Sequence, residues 1–219
     1  MPDHALQLEI VSDTICPWCW IGKRHLAAAL PLLAAEGLAF AVTWRPFQLN
    51  PAMPAGGVDR HTYRTAKFGS WERSEAMDAQ VARAGASAGL DFRFDRMVRT
   101  PNTIASHVLL RLALDQIGPA HQDQVAETLF AAYFNQGADI GDPATLAAIG
   151  AAAGIDTAAL SDPAAHDAVR AEEAGARRND LDGVPSFILE GHPLFSGAQP
   201  VETMVQALRQ ATLALNQAA

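Results

Sequence analysis

Two cysteines occur in the 219-residue chain, and both fall in one run, Cys16-Pro17-Trp18-Cys19. Sulfur at that spacing can serve as a structural disulfide, a metal ligand pair or a reversible redox couple. A disulfide closing so short a loop stabilises a fold only weakly, because the entropy removed from the unfolded chain grows with loop length. A structural zinc site generally takes four Cys or His ligands, and no second C-x-x-C or paired-histidine motif accompanies this one. His25 falls too far along the following segment to join both sulfurs easily. Thiol–disulfide exchange is therefore the chemistry the pair predicts, ahead of metal binding or an inert pair.

The elements that must position the sulfurs are legible on both sides. Leu6, Leu8, Ile10 and Val11 read as a buried strand ending near Ser12-Asp13-Thr14. Pro17 suits the first turn of a helix, where its missing N–H would have no partner anyway. Trp20, Leu26, Leu30 and Leu33 carry that helix to Gly37. A helix N-terminus offers unpaired N–H groups and a positive dipole end, and both favour thiolate over thiol. Cys16 is then the expected exposed nucleophile. Cys19, one turn on and more buried, is placed to resolve a mixed disulfide. Asp13 is expected either to relay the proton of Cys19 or to be a structural carboxylate at the helix start.

A second strand is expected from Ala39 to Trp44, and the prolines of Arg45-Pro46-Phe47-Gln48-Leu49-Asn50-Pro51 cannot continue a central strand. Residues 52 to 175 then read as helical almost throughout. Ala105, Val108, Leu109 and Leu112 trace one apolar stripe, and Val125, Leu129, Ala132 and Tyr133 another. Asp142-Pro143 and Asp162-Pro163 each look like an N-cap followed by proline at the first helical position. Strand signals return at Ser186-Phe187-Ile188-Leu189 and Leu194-Phe195, around a turn at Glu190-Gly191-His192-Pro193, before a last helix from about Pro200 to Asn216. This order predicts one α/β domain built from 1–51 and 176–219, with an all-helical domain, 52–175, inserted in its middle.

Hydrophobic residues make up 49% and charged residues 18%, a globular balance, and the net charge of −8 gives no electrostatic reason to expect nucleic acid or an anionic membrane as partner. No run approaches the ~20 apolar residues that span a bilayer. The first residues lack a basic region followed by an apolar run, so a cytoplasmic location is expected. The sequence leaves the oligomeric state open, a homodimer included.

Gly183-Val184-Pro185-Ser186 opens the third strand. A strand, then C-x-x-C, then a later Val-Pro before a hairpin resembles the thioredoxin fold, and the helical insertion makes the chain similar to the DsbA-like family. The similarity is closer to the FrnE-like branch of predicted dithiol-disulfide isomerases. It covers almost the whole chain and rests on Ser12 to Gly22, on Trp44 to Pro51, on Asn102-Thr103 with His107, on Tyr133-Phe134 through Asp139-Ile140, and on Ser196-Gly197-Ala198-Gln199. The resemblance implies a cis bond before Pro185 that leaves the Val184 backbone free to pair with a substrate beside Cys16. Pro17, Trp18, Val184 and Pro185 are accordingly the implied substrate-binding residues. The implied reactant is a thiol or disulfide, protein or small molecule. No cofactor is implied beyond the redox pair, with glutathione as a candidate co-substrate.

Two further readings compete. One is a glutathione-dependent transferase or isomerase of the related kappa-type architecture, disfavoured by the intact second cysteine and by Ala198-Gln199 where such relatives carry Asp-Arg. The other is a chaperone-like binding module with vestigial cysteines. Among lesser candidates, His107 is expected to be an exposed or satisfied core histidine. Trp44, Phe47, Met53 and Met97 are expected in the core or lining a cleft, and Glu172, Glu173, Arg177 and Arg178 on a solvated helix face.

Overall fold

The computed structural model describes residues 5–178 and 183–218. Strand β1 (Leu6–Ser12) leads through a short turn into helix α1 (Pro17–Ala35), and β2 (Phe40–Pro46) follows. Leu8 and Ile10 on β1 are fully buried. Helix α1 stops where the sequence predicts. Gly37 takes φ 82°, Leu38 N–H donates to the Leu33 carbonyl and Gly37 N–H to that of Ala34, the paired bonds of a glycine-terminated helix.

The second strand runs two residues past Trp44, with Pro46 opposite Ser12. Proline is tolerated there because β2 is an edge of the four-stranded sheet, ordered β2-β1-β5-β6. The C-terminal hairpin supplies the other two strands, β5 (Ser186–Leu189) antiparallel to β1 and β6 (His192–Ser196) at the opposite edge. Its turn is tighter than the sequence suggests. Glu190 (φ 48°) and Gly191 (φ 78°) make it alone, the left-handed pair of a two-residue hairpin, while His192 and Pro193 lie within the edge strand.

Between β2 and β5 lies the helical block: α2 (Arg60–Phe68), α3 (Trp71–Ser87), α4 (Ile104–Gln116), α5 (Pro119–Phe134), α6 (Pro143–Ala152) and α7 (Pro163–Arg178). Asp142 caps α6 by accepting from Thr145 N–H, and Asp162 accepts from Ala164 N–H at the start of α7. The block also holds a two-residue strand pair that periodicity does not reveal, β3 (Val58–Asp59) with β4 (Arg99–Thr100). Helix α8 (Val201–Ala218) closes the chain against α1.

One buried apolar cluster is continuous from Leu8 and Ile10 through Trp20 to Phe130, Leu146 and Leu208. Trp20 is its hinge point. The indole stacks on Phe130 and Phe134 of α5 and meets Phe92 edge-on, contacts worth about 0.5–1.5 kcal/mol each beyond buried area. Its N–H donates to Glu127. Beside it Lys23, almost wholly buried, reaches Asp123 at 2.7 Å. These contacts fix the helix that carries both cysteines against the helical block. No helix among the described residues is long and apolar enough to cross a membrane.

Candidate functional site

Cys16 is the N-cap of α1, extended at φ −92° and ψ 113°, with Pro17 at the first helical position. Its N–H donates to the Asp13 carbonyl and its own carbonyl accepts from Cys19 N–H, both at 3.0 Å. This turn directs the Cys16 sulfur toward the hairpin, where its thiol lies 3.7 Å from the Val184 carbonyl oxygen. Cys16 is not the exposed residue the sequence suggests: it is 4% exposed, because the cysteine turn packs against the hairpin start, and it meets solvent only through the cleft it lines, while Cys19 lies behind it with no exposure at all; both thiols are free. Burial pushes the Cys19 thiol well above its ordinary range, and the hydrogen bond and charge of Cys16 push the same way; Ser12 and the Asp13 backbone oppose them.

The structure gathers Cys16, Pro17, Trp18 and Val184 around a single cleft of about 320 Å³. Trp18 is half-exposed on its rim. Pro185 is buried, and its bond to Val184 is cis. A Cβ added to Gly22 would meet the Pro185 ring at 3.1 Å, so the glycine lets α1 approach the hairpin start closely. Asn179 to Asp182, which lead into the hairpin, lie outside the described residues.

Asp13 is fully buried, and its carboxylate is engaged by backbone donors. Oδ2 accepts from Leu49 N–H at 2.7 Å and Oδ1 from Ile15 N–H at 3.4 Å. His107 lies on the other side, Nε2 at 3.5 Å from Asp13 Oδ1 and 3.1 Å from the Phe47 carbonyl. His107 is thus a satisfied buried histidine, one of the two outcomes its sequence surroundings suggest. The pair clamps the segment 47–49 beside the cysteine turn.

The same segment corrects one expectation. Glu173 is buried and accepts from Gln48 N–H at 2.9 Å, while Arg177 donates to the Gln48 carbonyl and lies over the Phe47 ring at 4.1 Å. Glu172 pairs with Arg45. Glu173 is thus buried instead of solvated, because α7 packs along β2, while Glu172 and Arg177 keep partial solvent exposure as they pair with the 45–48 segment. The side chain of Arg178 lies outside the described residues. Of the four candidate cleft residues, Met97 lines the cleft; Trp44, Phe47 and Met53 are buried elsewhere.

Sequence inspection missed the far wall. Helix α2 contributes Arg60, Tyr63, Arg64 and Lys67, and α3 contributes Met77 and Asp78. Asp78 bridges both guanidinium groups, to Arg60 Nη2 at 2.7 Å and Arg64 Nη2 at 2.6 Å. Burial lowers Arg64 from its ordinary value, Asp78 opposing that and Arg60 adding to it. The spacing i, i+4, i+7 of Arg60, Arg64 and Lys67 on one helix was the available signal. Burial pushes the Tyr133 phenol up at the base of the same cleft. No group of three or more His, Cys, Asp or Glu able to hold a metal ion occurs among the described residues.

A sheet of this order with a C-x-x-C at the first helix and helices between its halves defines a thioredoxin-fold protein of the DsbA type. The chain matches the family of DSBA-like thioredoxin domains over residues 7–209 and belongs to it. It is 33% identical to a probable DsbA oxidoreductase from Streptomyces coelicolor, whose crystal structure superimposes with a TM-score of 0.82 over 94% of this chain and 89% of that one. The uncharacterised YwbO of Bacillus subtilis is 24% identical over 209 residues, 93% of this chain and 96% of that protein. The cytosolic disulfide reductase DsbM of Pseudomonas aeruginosa shares the fold at 20% identity, with a TM-score of 0.61 over 97% of this chain and 98% of that one.

Proposed function

We propose that the protein is a cytoplasmic thiol–disulfide oxidoreductase of the FrnE-like branch, in which Cys16 attacks and Cys19 resolves. The observation that carries this is the asymmetry of the pair: Cys16 opens on a cleft beside the Val184 carbonyl, whereas Cys19 is sealed behind it with its thiol held protonated. Residues 1–51 and 176–219 form the catalytic thioredoxin-like unit, and 52–175 the insertion that supplies the far wall of the cleft.

The Cys16 thiolate attacks one sulfur of a substrate disulfide, forming a mixed disulfide and expelling one substrate thiolate, which takes up a proton. Cys19 then loses its proton and attacks the Cys16 sulfur, closing Cys16–Cys19 and releasing the second substrate thiol. The protein loses two electrons and the substrate gains them. Two equivalents of a thiol such as glutathione return the pair to the dithiol, and DsbM has been crystallised with glutathione. The same steps in reverse oxidise a substrate dithiol, and attack by Cys16 followed by its displacement by another substrate thiol isomerises a substrate disulfide. Val184 offers backbone groups to an extended substrate, with Pro17, Trp18 and Pro185 shaping its approach.

Incubation with mixtures of reduced and oxidised glutathione, acid quenching, alkylation and mass measurement test the assignment. The pair should titrate between dithiol and disulfide, Cys16→Ser should abolish exchange, and Cys19→Ser should stall as a Cys16 mixed disulfide. Two unchanging free thiols, or zinc retained by the purified protein, would overturn it.

A further inference from the structure

The cleft beside Cys16 has a chemical polarity that disulfide exchange alone does not require. Of the seven large apolar side chains exposed among the described residues, three, Trp18, Leu49 and Met77, each 39% exposed, line this one cleft. Exposed apolar groups gathered at one concavity mark a binding surface, whereas scattered ones need no explanation. Deeper in, the wall turns cationic. Arg60 and Arg64 share one carboxylate, Asp78, and Lys67 follows one turn on, hydrogen-bonded to the neutral Asn50 and Tyr63. The described lining therefore carries three cations against one anion, on a protein whose net charge is −8.

The arginines are also held ready. Arg60 is 3% exposed, its guanidinium set against the Trp71 and Phe94 rings, and among the described residues Nη2 is the one guanidinium nitrogen with a protein acceptor. Arg64 is fixed over Phe68, with Ser74 and Asp78 taking its donors. Stationary guanidinium groups at a low-dielectric wall attract an anion more strongly than mobile surface cations, and they lose little freedom when it binds. At about 320 Å³ the cavity is the size of a small-molecule pocket.

We infer that this cleft selects small-molecule disulfides whose arm, reaching from the sulfur along the apolar rim, ends in a carboxylate set against Arg60, Arg64 and Lys67. The assignment rests on the oxidoreductase function proposed above. One arm of the disulfide carries the sulfur that Cys16 attacks, and its carboxylate stays on the α2 wall while the other arm departs as thiolate.

Three disulfides of similar length separate charge from reactivity: 3,3′-dithiodipropionate, 2-hydroxyethyl disulfide and cystamine, which are anionic, neutral and cationic. Each is mixed with the fully reduced protein in a single turnover, and each rate is divided by that of dithiothreitol with the same disulfide. At low salt the normalised rate should fall from dithiodipropionate to cystamine by about tenfold or more. High salt should compress that ratio toward one. Lys67→Glu, at an exposed position, should cut the ratio about threefold or more, and Arg64→Gln should act in the same direction.

Equal normalised rates across the three probes would overturn the inference and leave the oxidoreductase assignment standing. No exchange with any of them would instead overturn that assignment. Faster normalised exchange with a disulfide-linked acidic peptide than with dithiodipropionate would overturn the small-molecule class.

Discussion

The side-chain amide of Gln122 forms two hydrogen bonds with the backbone of Trp44, accepting from its N–H at 2.8 Å and donating to its carbonyl at 2.9 Å. Helix α5 thus gives the edge strand β2, at one residue, what a further strand would give. Gln122 is buried, so Gln122→Leu would leave a donor and an acceptor orphaned. Each such group costs about 1–3 kcal/mol, and the variant should lose roughly 2–5 kcal/mol in urea unfolding. A midpoint matching wild type would mean that water replaces the amide there.

Stability of the reduced protein should depend on alkaline pH in a definite direction. Burial raises the Cys19 thiol in the folded state, while an unfolded chain ionises it near ~8.5. The stabilising contribution is complete below that value and is lost as pH rises toward the folded one, by at most ~1.4 kcal/mol per pH unit. Tyr133, raised by burial, adds a loss of the same sign above ~10. Urea midpoints of the reduced protein at pH 8, 9 and 9.5 should fall, and those of Cys19→Ser should fall less. Identical slopes would show that the thiol does not govern this window.

Asp13 offers a test between a clamp and a proton relay. As a clamp for Leu49 N–H, Ile15 N–H and His107, it should affect the cleft and the first attack. Asp13→Asn turns one acceptor into a donor facing these groups and should cost about 1–3 kcal/mol. In quenched-alkylation kinetics its mixed disulfide should form more slowly, with the subsequent closure by Cys19 unchanged. Slowed closure with normal attack would restore the relay.

Gly22 should be tolerant of one methyl and intolerant of more. Gly22→Ala gains about 1 kcal/mol of helix propensity, offset by the tight approach of the Pro185 ring at 3.1 Å, so its thermal stability should stay near wild type. Gly22→Val should lose about 1–3 kcal/mol through overpacking. It should also slow exchange, because Pro185 adjoins the Val184 carbonyl that meets Cys16. Wild-type exchange in Gly22→Val would separate this packing from the site.

What the sequence disclosed and what it withheld follow from range. The strand, Pro17 and the cysteine spacing are local, and the Asp142 and Asp162 caps depend on neighbours two or three residues away. Glu173 gave no such signal, because its partner Gln48 is 125 residues distant. Gln122 and Trp44 are 78 apart, and an amide on a helix carries no local mark of the strand edge it will satisfy. The cations of α2 were visible as a spacing, but only the packing of α2 and α3 beside the cysteine turn gives that spacing meaning. Pro46 continues no central strand, as expected, but that β2 runs on to it depends on which strand is the edge, a property of the assembled sheet.

The pairing of β1 with β5 joins Leu8 to Leu189 across most of the chain. On a ribosome adding about 5–20 residues per second, β5 emerges roughly 10–35 s after β1. Until then β1 can find β2 but lacks its other neighbour, and Cys16 has no Val184 carbonyl beside it. Both sulfurs spend the whole of synthesis in a chain whose sheet is incomplete, open to whatever thiols and disulfides surround the nascent protein. The seating of Cys16 against the Val184 carbonyl is therefore acquired late, when the hairpin docks, and the newborn polypeptide has only the start of α1 to tell its two sulfurs apart.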